Sequence, residues 1–396
     1  MPGYRDFTFK KKRGQPNEPA VYYFYIQIME KKCCGQSSGK KAPGTGKPWV
    51  TGTVTTEHGT NVCIADTRWS NADTFGAFRC RLGGFRMKYT IEPGLYGIGS
   101  PDSGSPVFIS ANYKLSFDHL RRSLSGSNGW ILVLDTRGIN VWCAAGKGTF
   151  GTAEVIERIT SCGLAAVVKH RKIIVPQLGA PGIAAHEISG ATGFSVVYGP
   201  VRAADISVFL SSGMKATPEM RRVRFGMIDR VILTPMELRP SLELFLPVLA
   251  LGLAFTGLER TGILFASVRE NGIPLMLAAL LSLLAGTILT PTLLPWIPFR
   301  AFSLKGLLAG GTIMALYLPV STITDPLLLL FSVLFFPAYS SFCALNFTGS
   351  TPYTGISGVK REMKFAVPLY VAATVLSAGL LLADKIRHLL SPGGIL

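Results

Sequence analysis

"WILVLDTRGINVWCAAGKGTFGTAEVIERI", Trp130 to Ile159, is the stretch that decides the fold class. It opens on "WILVLD" (130–135), a short continuous apolar run of the kind found in a strand buried on both faces. It leads into "TAEVIERITSCG" (152–163), which reads as a helix ending at Gly163. The same alternation extends in both directions. "PVFISA" (106–111) predicts another buried strand and "KLSFDHLRRSL" (114–124) a helix, while "LAAVVKH" (164–170), "KIIVP" (172–176) and "FSVVYG" (194–199) predict further short strands. Strands alternating with helices from about Arg86 to Asp205 argue for an α/β domain with a largely parallel sheet. In such sheets the ligand lies beyond the carboxyl ends of the strands. "NVWCAAGK" (140–147) follows a strand directly, so it falls in that crevice.

The 396-residue chain divides by composition. Up to about Pro240 it is mixed and basic, and this part carries most of the formal net charge of +17. No nucleic-acid module accompanies the charge, so a basic face towards an anionic inner leaflet is the better reading. The opening "MPGYRDFTFKKKRGQ" lacks the apolar core of a signal peptide, and "VYYFYIQIM" is too short to span a bilayer. Residues 1–85 read as a basic, largely flexible N-terminal extension, with "KKCCGQSSGKKAPGTGKP" its most linker-like part. The adjacent Cys33 and Cys34 there are two exposed thiols or, less simply, a soft-metal pair. The seven cysteines show no CxxC or ferredoxin spacing, so the sequence contains no cluster motif, and free thiols in a reducing compartment are expected.

Five apolar runs follow: about Leu242–Leu258, Gly272–Thr290, Phe302–Val320, Pro326–Phe347 and Phe365–Ala383. Each approaches the roughly 20 residues that cross a hydrocarbon core. With five spans the two ends face opposite sides. If the α/β part is inside, Arg221, Arg222, Arg224, Arg230, Arg239, Arg300, Lys305, Lys360, Arg361 and Lys364 flank the cytoplasmic ends. Only Arg260, Arg269, Lys385 and Arg387 lie outside. The asymmetry places the α/β domain in the cytoplasm and the chain in a cytoplasmic (inner) membrane. The spans lack dense polar lining, so anchoring or docking is the plain interpretation.

Most cysteines simply pack, and Cys143 read by type alone is a small core residue. Its context argues for more. It stands in the crevice, near the start of a short helix, with Lys147 four residues on. Helix starts and cations stabilise negative charge, and a thiolate is a nucleophile or a metal ligand. A nucleophile wants a histidine, and His119, His170 and His186 belong to no catalytic signature. A protein-only metal site wants further ligands that have no suitable spacing here. The remaining explanation is that the other ligands arrive with a cofactor. "AAGKGT" is not a phosphate loop, because Lys147 is followed by glycine and the first motif glycine is missing.

"NVWCAAGK" resembles the cap-helix signature of the mercury-methylating corrinoid protein family. Further matching stretches are "RMKYTIEPGLYGIG" (86–99), "PVFISANYKLSFD" (106–118), "VPQLGAPGIAAHEISGATGF" (175–194) and "VYGPVRAADI" (197–206). The soluble part also resembles the corrinoid domain of the corrinoid iron–sulfur protein, whose cluster motif this sequence lacks. The resemblance implies a Rossmann-like, corrinoid-binding α/β domain over 86–235, followed by an all-α transmembrane domain of five helices over 240–388. It makes Cys143 the lower axial ligand to the cobalt of a cobalamin-type corrinoid. Asn140, Val141, Trp142, Ala144, Ala145, Gly146 and Lys147 would complete the cap helix, with Trp142 anchoring it in apolar packing. Ser116 would hydrogen-bond the cofactor, or would be a surface helix serine. Gly190, Gly193, Gly199 and Ala203 would hold the corrin edge. The implied activity is methyl transfer from a methyl-folate-type donor, or its methyltransferase, through methyl–Co(III) to Hg(II). A ferredoxin-like 4Fe–4S partner would return the electrons and could carry mercury. The rival readings are a corrinoid methyl carrier of one-carbon (acetyl-CoA pathway) metabolism, and a membrane transporter or scaffold with a ligand-sensing α/β domain.

Overall fold

The computed structural model describes residues 47–56, 61–259, 262–263 and 265–390. The Cys33–Cys34 pair and most of the basic, linker-like stretch around it lie outside these residues. The described chain forms two compact units, one of residues 47–69 with 87–215 and one of 70–86 with 216–390.

The first unit is built on a seven-stranded mixed sheet. Its strands are β1 (Val50–Thr55), β2 (Asn61–Ala65), β3 (Gly94–Ile98), β4 (Val107–Ala111), β5 (Gly129–Leu134), β6 (Lys172–Val175) and β7 (Ser195–Tyr198), in the order β1-β2-β3-β5-β4-β6-β7. β5, β4, β6 and β7 run parallel to one another. β3 joins β5 antiparallel, with Tyr96 opposite Ile131, and β1 pairs antiparallel with β2. Every residue of β3, β4 and β5 is buried, as their continuous apolar runs require of strands covered on both faces. The rim strand β7 is half-exposed.

Two expectations are corrected. Residues 50–65, assigned by composition to the flexible extension, supply β1 and β2, and Asn71–Arg81 is a helix, α1. "LAAVVKH" is not a strand: Leu164–Val167 makes one helical turn, entered through Gly163 in the left-handed conformation. Four apolar residues fit a buried turn as well as a strand, and the period cannot separate them at that length.

α1 belongs to the second unit; the helices of the first are α2 (Lys114–Ser123), α3 (Val141–Lys147), α4 (Thr152–Ser161), α5 (Leu164–Val167), α6 (Ala185–Thr192) and α7 (Ile206–Ser211). α2 is fastened from below by a buried ion pair, Arg121 Nε to Asp118 Oδ1 at 2.8 Å. The same guanidinium donates to the carbonyl oxygens of Asp66 and Arg68. Lys114 Nζ meets the other Asp118 oxygen at 2.6 Å. Breaking such a buried pair leaves a charge uncompensated and is strongly destabilising.

The second unit is helical. α8 (Met227–Gly257) contains Pro235, Pro240 and Pro247 and bends by 42° between Glu243 and Phe245. Four further helices, α9 (Val268–Thr292), α10 (Phe302–Val320), α11 (Pro326–Ser350) and α12 (Ser357–Leu390), are long and apolar enough to cross a membrane, and a bent α8 would make a fifth. Buried Arg230 and Lys305 donate to the terminal carbonyls around α9, Arg230 to Thr292 and Lys305 to Leu294 and Ile297. Cations placed there satisfy carbonyls that the helix itself leaves open.

Candidate functional site

Because β4 to β7 run in one direction, the segments that follow them share one edge of the sheet. These are 112–116, 135–147, 176–182 and 199–203. Asn112 joins the first two. Its Oδ1 accepts from the backbone N–H of Thr136 (3.1 Å) and of Gly138 (2.9 Å), and lies 2.8 Å from Thr136 Oγ1. Its Nδ2 donates to Asp135 Oδ1 at 3.2 Å. Asp135 N–H in turn donates to Glu154 of α4 at 2.8 Å. The loop that delivers the cap helix is therefore tied to β4 and α4 by one buried amide and one carboxylate.

Asn140 begins α3 with extended backbone, and its side-chain oxygen accepts from the Cys143 N–H at 2.9 Å. Asparagine is a preferred residue for this task because it satisfies a first-turn donor that has no helical partner. Gly148 ends the helix with φ 79°, the left-handed conformation that glycine adopts without steric cost. α3 is split into two faces. Ala144 and Ala145 are buried against the 3₁₀ segment Gln177–Gly182. Trp142, Cys143, Gly146 and Lys147 are exposed, and Val141 is half-buried. Cys143 is the one exposed cysteine among the described residues.

The close seating of α3 depends on Gly182. A Cβ there would stand 2.2 Å from the Phe150 carbonyl oxygen and 3.3 Å from the Ala145 Cα. Buried Phe150 fills the space beneath. Thr152 Oγ1 accepts from Ala184 N–H at 2.8 Å, fixing the 177–184 segment to the start of α4. The rim then continues to β7 through Gly199 N–H to the Val175 carbonyl (2.8 Å).

The expected site residues are only partly gathered. Ser116 lies half-buried in the first turn of α2, and Gly199 and Ala203 follow β7, all at the cap-helix edge. Gly190 and Gly193 do not join them. They end α6 and precede β7, so they belong to the amino-terminal edge of the parallel strands. Standing before the predicted strand 194–199, they lie at its amino-terminal end, and the resemblance alone assigned them to the corrin edge. Trp142 does not anchor the cap in apolar packing: its side chain is 45% exposed. The anchor is instead the Ala144–Ala145 face on Gln177–Gly182. Asn112, Phe150 and Gly182 were not singled out from the sequence. The available signals were an asparagine directly after a strand and the glycines 179 and 182 in a stretch without regular period.

A cobalt corrinoid can be tested against this edge. Cys143 gathers with no two further His, Cys, Asp or Glu ligands among the described residues, so a metal held by its sulfur takes its remaining ligands from elsewhere. Gly146, one turn on, has open space where a Cβ would be, leaving the exposed face of α3 low beside the thiol. Two buried polar atoms flanking the cap, Thr149 Oγ1 and Gln177 Oε1, lack a hydrogen-bond partner among the described residues. Such atoms call for water or a polar ligand arm. The exposed sulfur and the open space at Gly146 would leave room for a ligand that brings its own metal donors.

Residues 86–210 match the family of the CO dehydrogenase/acetyl-CoA synthase delta subunit. The acetyl-CoA decarbonylase/synthase complex subunit gamma of Methanopyrus kandleri is 29% identical over 154 residues, 38% of this chain and 33% of that protein. The corresponding subunit of Archaeoglobus fulgidus is 34% identical over 127 residues, 32% and 27%. The corrinoid/iron–sulfur protein large subunit of Moorella thermoacetica is 26% identical over 126 residues, 31% and 28%. The chain thus spans about a third of the length of these relatives, and over that region it is a corrinoid-protein relative.

Proposed function

We propose that this protein is a membrane-anchored, corrinoid-dependent methyltransferase in which Cys143 is the lower axial ligand to cobalt and Hg(II) is the methyl acceptor. The observation that carries the reading is the exposed thiol on a helix fixed from behind, without a ligand set around it among the described residues. Cys143 would offer its sulfur to the metal. Asn140 orders the first turn so that this sulfur faces outward. Ala144 and Ala145 hold the helix down, Gly146 leaves room for a ring to approach, and Asn112 keeps the 135–140 loop from drifting. When bound, such a corrinoid supplies a cobalt centre for methyl transfer, and a thiolate ligand donates more electron density to it than an imidazole does, which suits a soft, electron-poor acceptor. The mercury assignment rests on the resemblance of "NVWCAAGK" and on this donor.

On the same reading, methyl groups come from a methyl-folate-type donor or its methyltransferase, and electrons from a ferredoxin-like 4Fe–4S protein. The apolar helices α8 to α12 anchor the chain in a cytoplasmic membrane, with the α/β unit in the cytoplasm. The relatives favour a second reading: they are named as subunits of the acetyl-CoA decarbonylase/synthase complex or of a corrinoid/iron–sulfur protein. A corrinoid methyl carrier of one-carbon metabolism shares the cofactor and differs in the acceptor.

The test uses the full-length chain, purified anaerobically in detergent and loaded with cobalamin. Cys143→Ala and Cys143→His should change the cobalt absorption spectrum and abolish methylmercury formation. Unaltered spectra and undiminished methylmercury would defeat the sulfur assignment. Changed spectra, with methyl passed to an acetyl-synthesis partner and never to Hg(II), would leave the second reading standing.

A further inference from the structure

Helix α1 is folded with its large apolar side chains outward. Phe75 and Phe78 are 60% and 54% exposed, whereas the opposite face buries only Gly76, Ala77 and Cys80 beside Asp73. The helix does not depend on those rings for its start. Ser70 and Asp73 form a reciprocal cap, Ser70 N–H to Asp73 Oδ2 at 2.9 Å and Asp73 N–H to Ser70 Oγ at 3.2 Å. The Arg79 guanidinium sits 5.6 Å from the Phe75 ring centre and 4.1 Å from that of Phe85, so charge and apolar surface adjoin. At the far end Arg239 of α8 donates to the Leu82 carbonyl, which fastens α1 to the helix leading into the first candidate span.

The start of α8 repeats the pattern. Met227, Ile228, Val231 and Ile232 are all exposed, at spacings that put them on one helical face, while Arg230 is buried on the other. Directly before them stand Arg221, Arg222 and Arg224, with exposed Val223 between. Glu219 is one of two acidic groups nearby: backbone and Thr217 hydrogen bonds, then Arg222 and Arg224, hold its carboxyl below the usual range. Asp229, whose Oδ2 accepts from the Gly226 N–H at 2.9 Å, is the second, and with Arg230 the four arginines outnumber the two carboxylates, so this stretch is basic. Exposed apolar residues adjoining cations, on one helix that continues into a membrane-length segment and on another fastened to it, follow the layering of a leaflet, with acyl chains within and phosphates above.

We propose that α1 and residues 221–232 lie on an anionic lipid leaflet, Phe75 and Phe78 entering its apolar boundary and the arginines meeting headgroup phosphates. This rests on the reading of the apolar helices as membrane spans. The surface would hold the helical unit at a defined depth and favour membranes rich in acidic lipid.

Hydrogen exchange of the full-length chain in nanodiscs tests it, comparing phosphatidylcholine alone with phosphatidylcholine plus phosphatidylglycerol. Peptides covering 71–81 and 221–232 should exchange at least about fivefold more slowly in the anionic discs, the effect of roughly one basic side chain near a charged surface. Phe75→Ser with Phe78→Ser should remove the difference over 71–81. Arg221→Gln with Arg222→Gln, which leaves both helices intact, should remove it over 221–232. Equal exchange in both discs overturns the proposal, and so does protection already complete in detergent, since a protein surface would then cover the helix. Alkaline carbonate extraction separates the two readings. A chain released from native membranes refutes the spans themselves, whereas a retained chain with lipid-insensitive exchange refutes the leaflet surface alone.

Discussion

Replacing Asn112 by alanine should loosen the cap loop without unfolding the sheet. The side chain is 6% exposed, and its oxygen is the acceptor for two backbone donors, Thr136 N–H and Gly138 N–H. Its amide also pairs Asp135, whose backbone N–H is held by Glu154. Each buried donor left without a partner costs about 1–3 kcal/mol. Two such donors, partly rescued by water entering the vacated space, give about 2–4 kcal/mol of local destabilisation. If this acts on local opening, amide exchange in a peptide spanning 135–142 accelerates by at least roughly 30-fold, since each 1.4 kcal/mol is a factor of ten. Exchange in β4 and β5 themselves should change far less. Asn112→Asp makes the argument sharper. It keeps the acceptor but faces Asp135 with a second carboxylate, so its exchange should approach that of the parent protein as the pH falls and the new group protonates. Exchange over 135–142 within twofold of the parent in Asn112→Ala would show that the loop is held by other means and would remove the basis for treating Asn112 as the positioning residue for Cys143.

Gly182→Ala should lower the thermal midpoint and weaken corrinoid retention together, because the new Cβ meets the Phe150 carbonyl oxygen at 2.2 Å and α3 must lift; overpacking of this kind costs about 1–3 kcal/mol, read by calorimetry or tryptophan emission. Cys143→Ala should leave thermal stability within about 0.5 kcal/mol, since the side chain is exposed; a large loss would mark the thiol as a packing residue. Iodoacetamide on the native chain, followed by peptide mass spectrometry, should label Cys143 before Cys63, Cys80 and Cys162. Cys63 and Cys80 are buried, and burial raises the Cys63 and Cys162 thiols above their ordinary value. Asp102 is held below the usual carboxylate range by hydrogen bonds from Ser105 Oγ and the Gly104 N–H. A depressed folded value means that its stabilising contribution is present above the unfolded value of about 4 and is lost as the pH falls through the folded one. Trp130 Nε1 donates to the Asp102 carbonyl at 2.9 Å, so its emission should report that acid transition, and Asp102→Asn should shift or flatten it.

The strands β4, β5 and β6, the helices α2 and α4 and the edge position of "NVWCAAGK" were all legible in the sequence. Each follows from local rules: continuous apolar runs are read as buried strands, amphipathic runs as helices, and the chain order sets which end of a strand precedes which loop. The apolar C-terminal runs declared themselves by length alone. What the sequence left open is what distant segments decide. "LAAV" became a helical turn because a four-residue apolar piece takes its form from its surroundings. Val50–Thr55 and Asn61–Ala65 joined the sheet by long-range pairing, although they follow a basic, linker-like tract. Gly190 and Gly193 are a different case: chain order already set them before the strand 194–199, and only the resemblance carried them to the other edge. Asn112 and Gly182 acquired their roles only when residues far apart in the chain met at the rim. The position of Cys143 directly after a strand, at the ligand edge, was therefore legible in the sequence. Its outward direction was decided by the tertiary structure, which buries Ala144 and Ala145 and so turns the other face of a seven-residue helix towards the ligand edge.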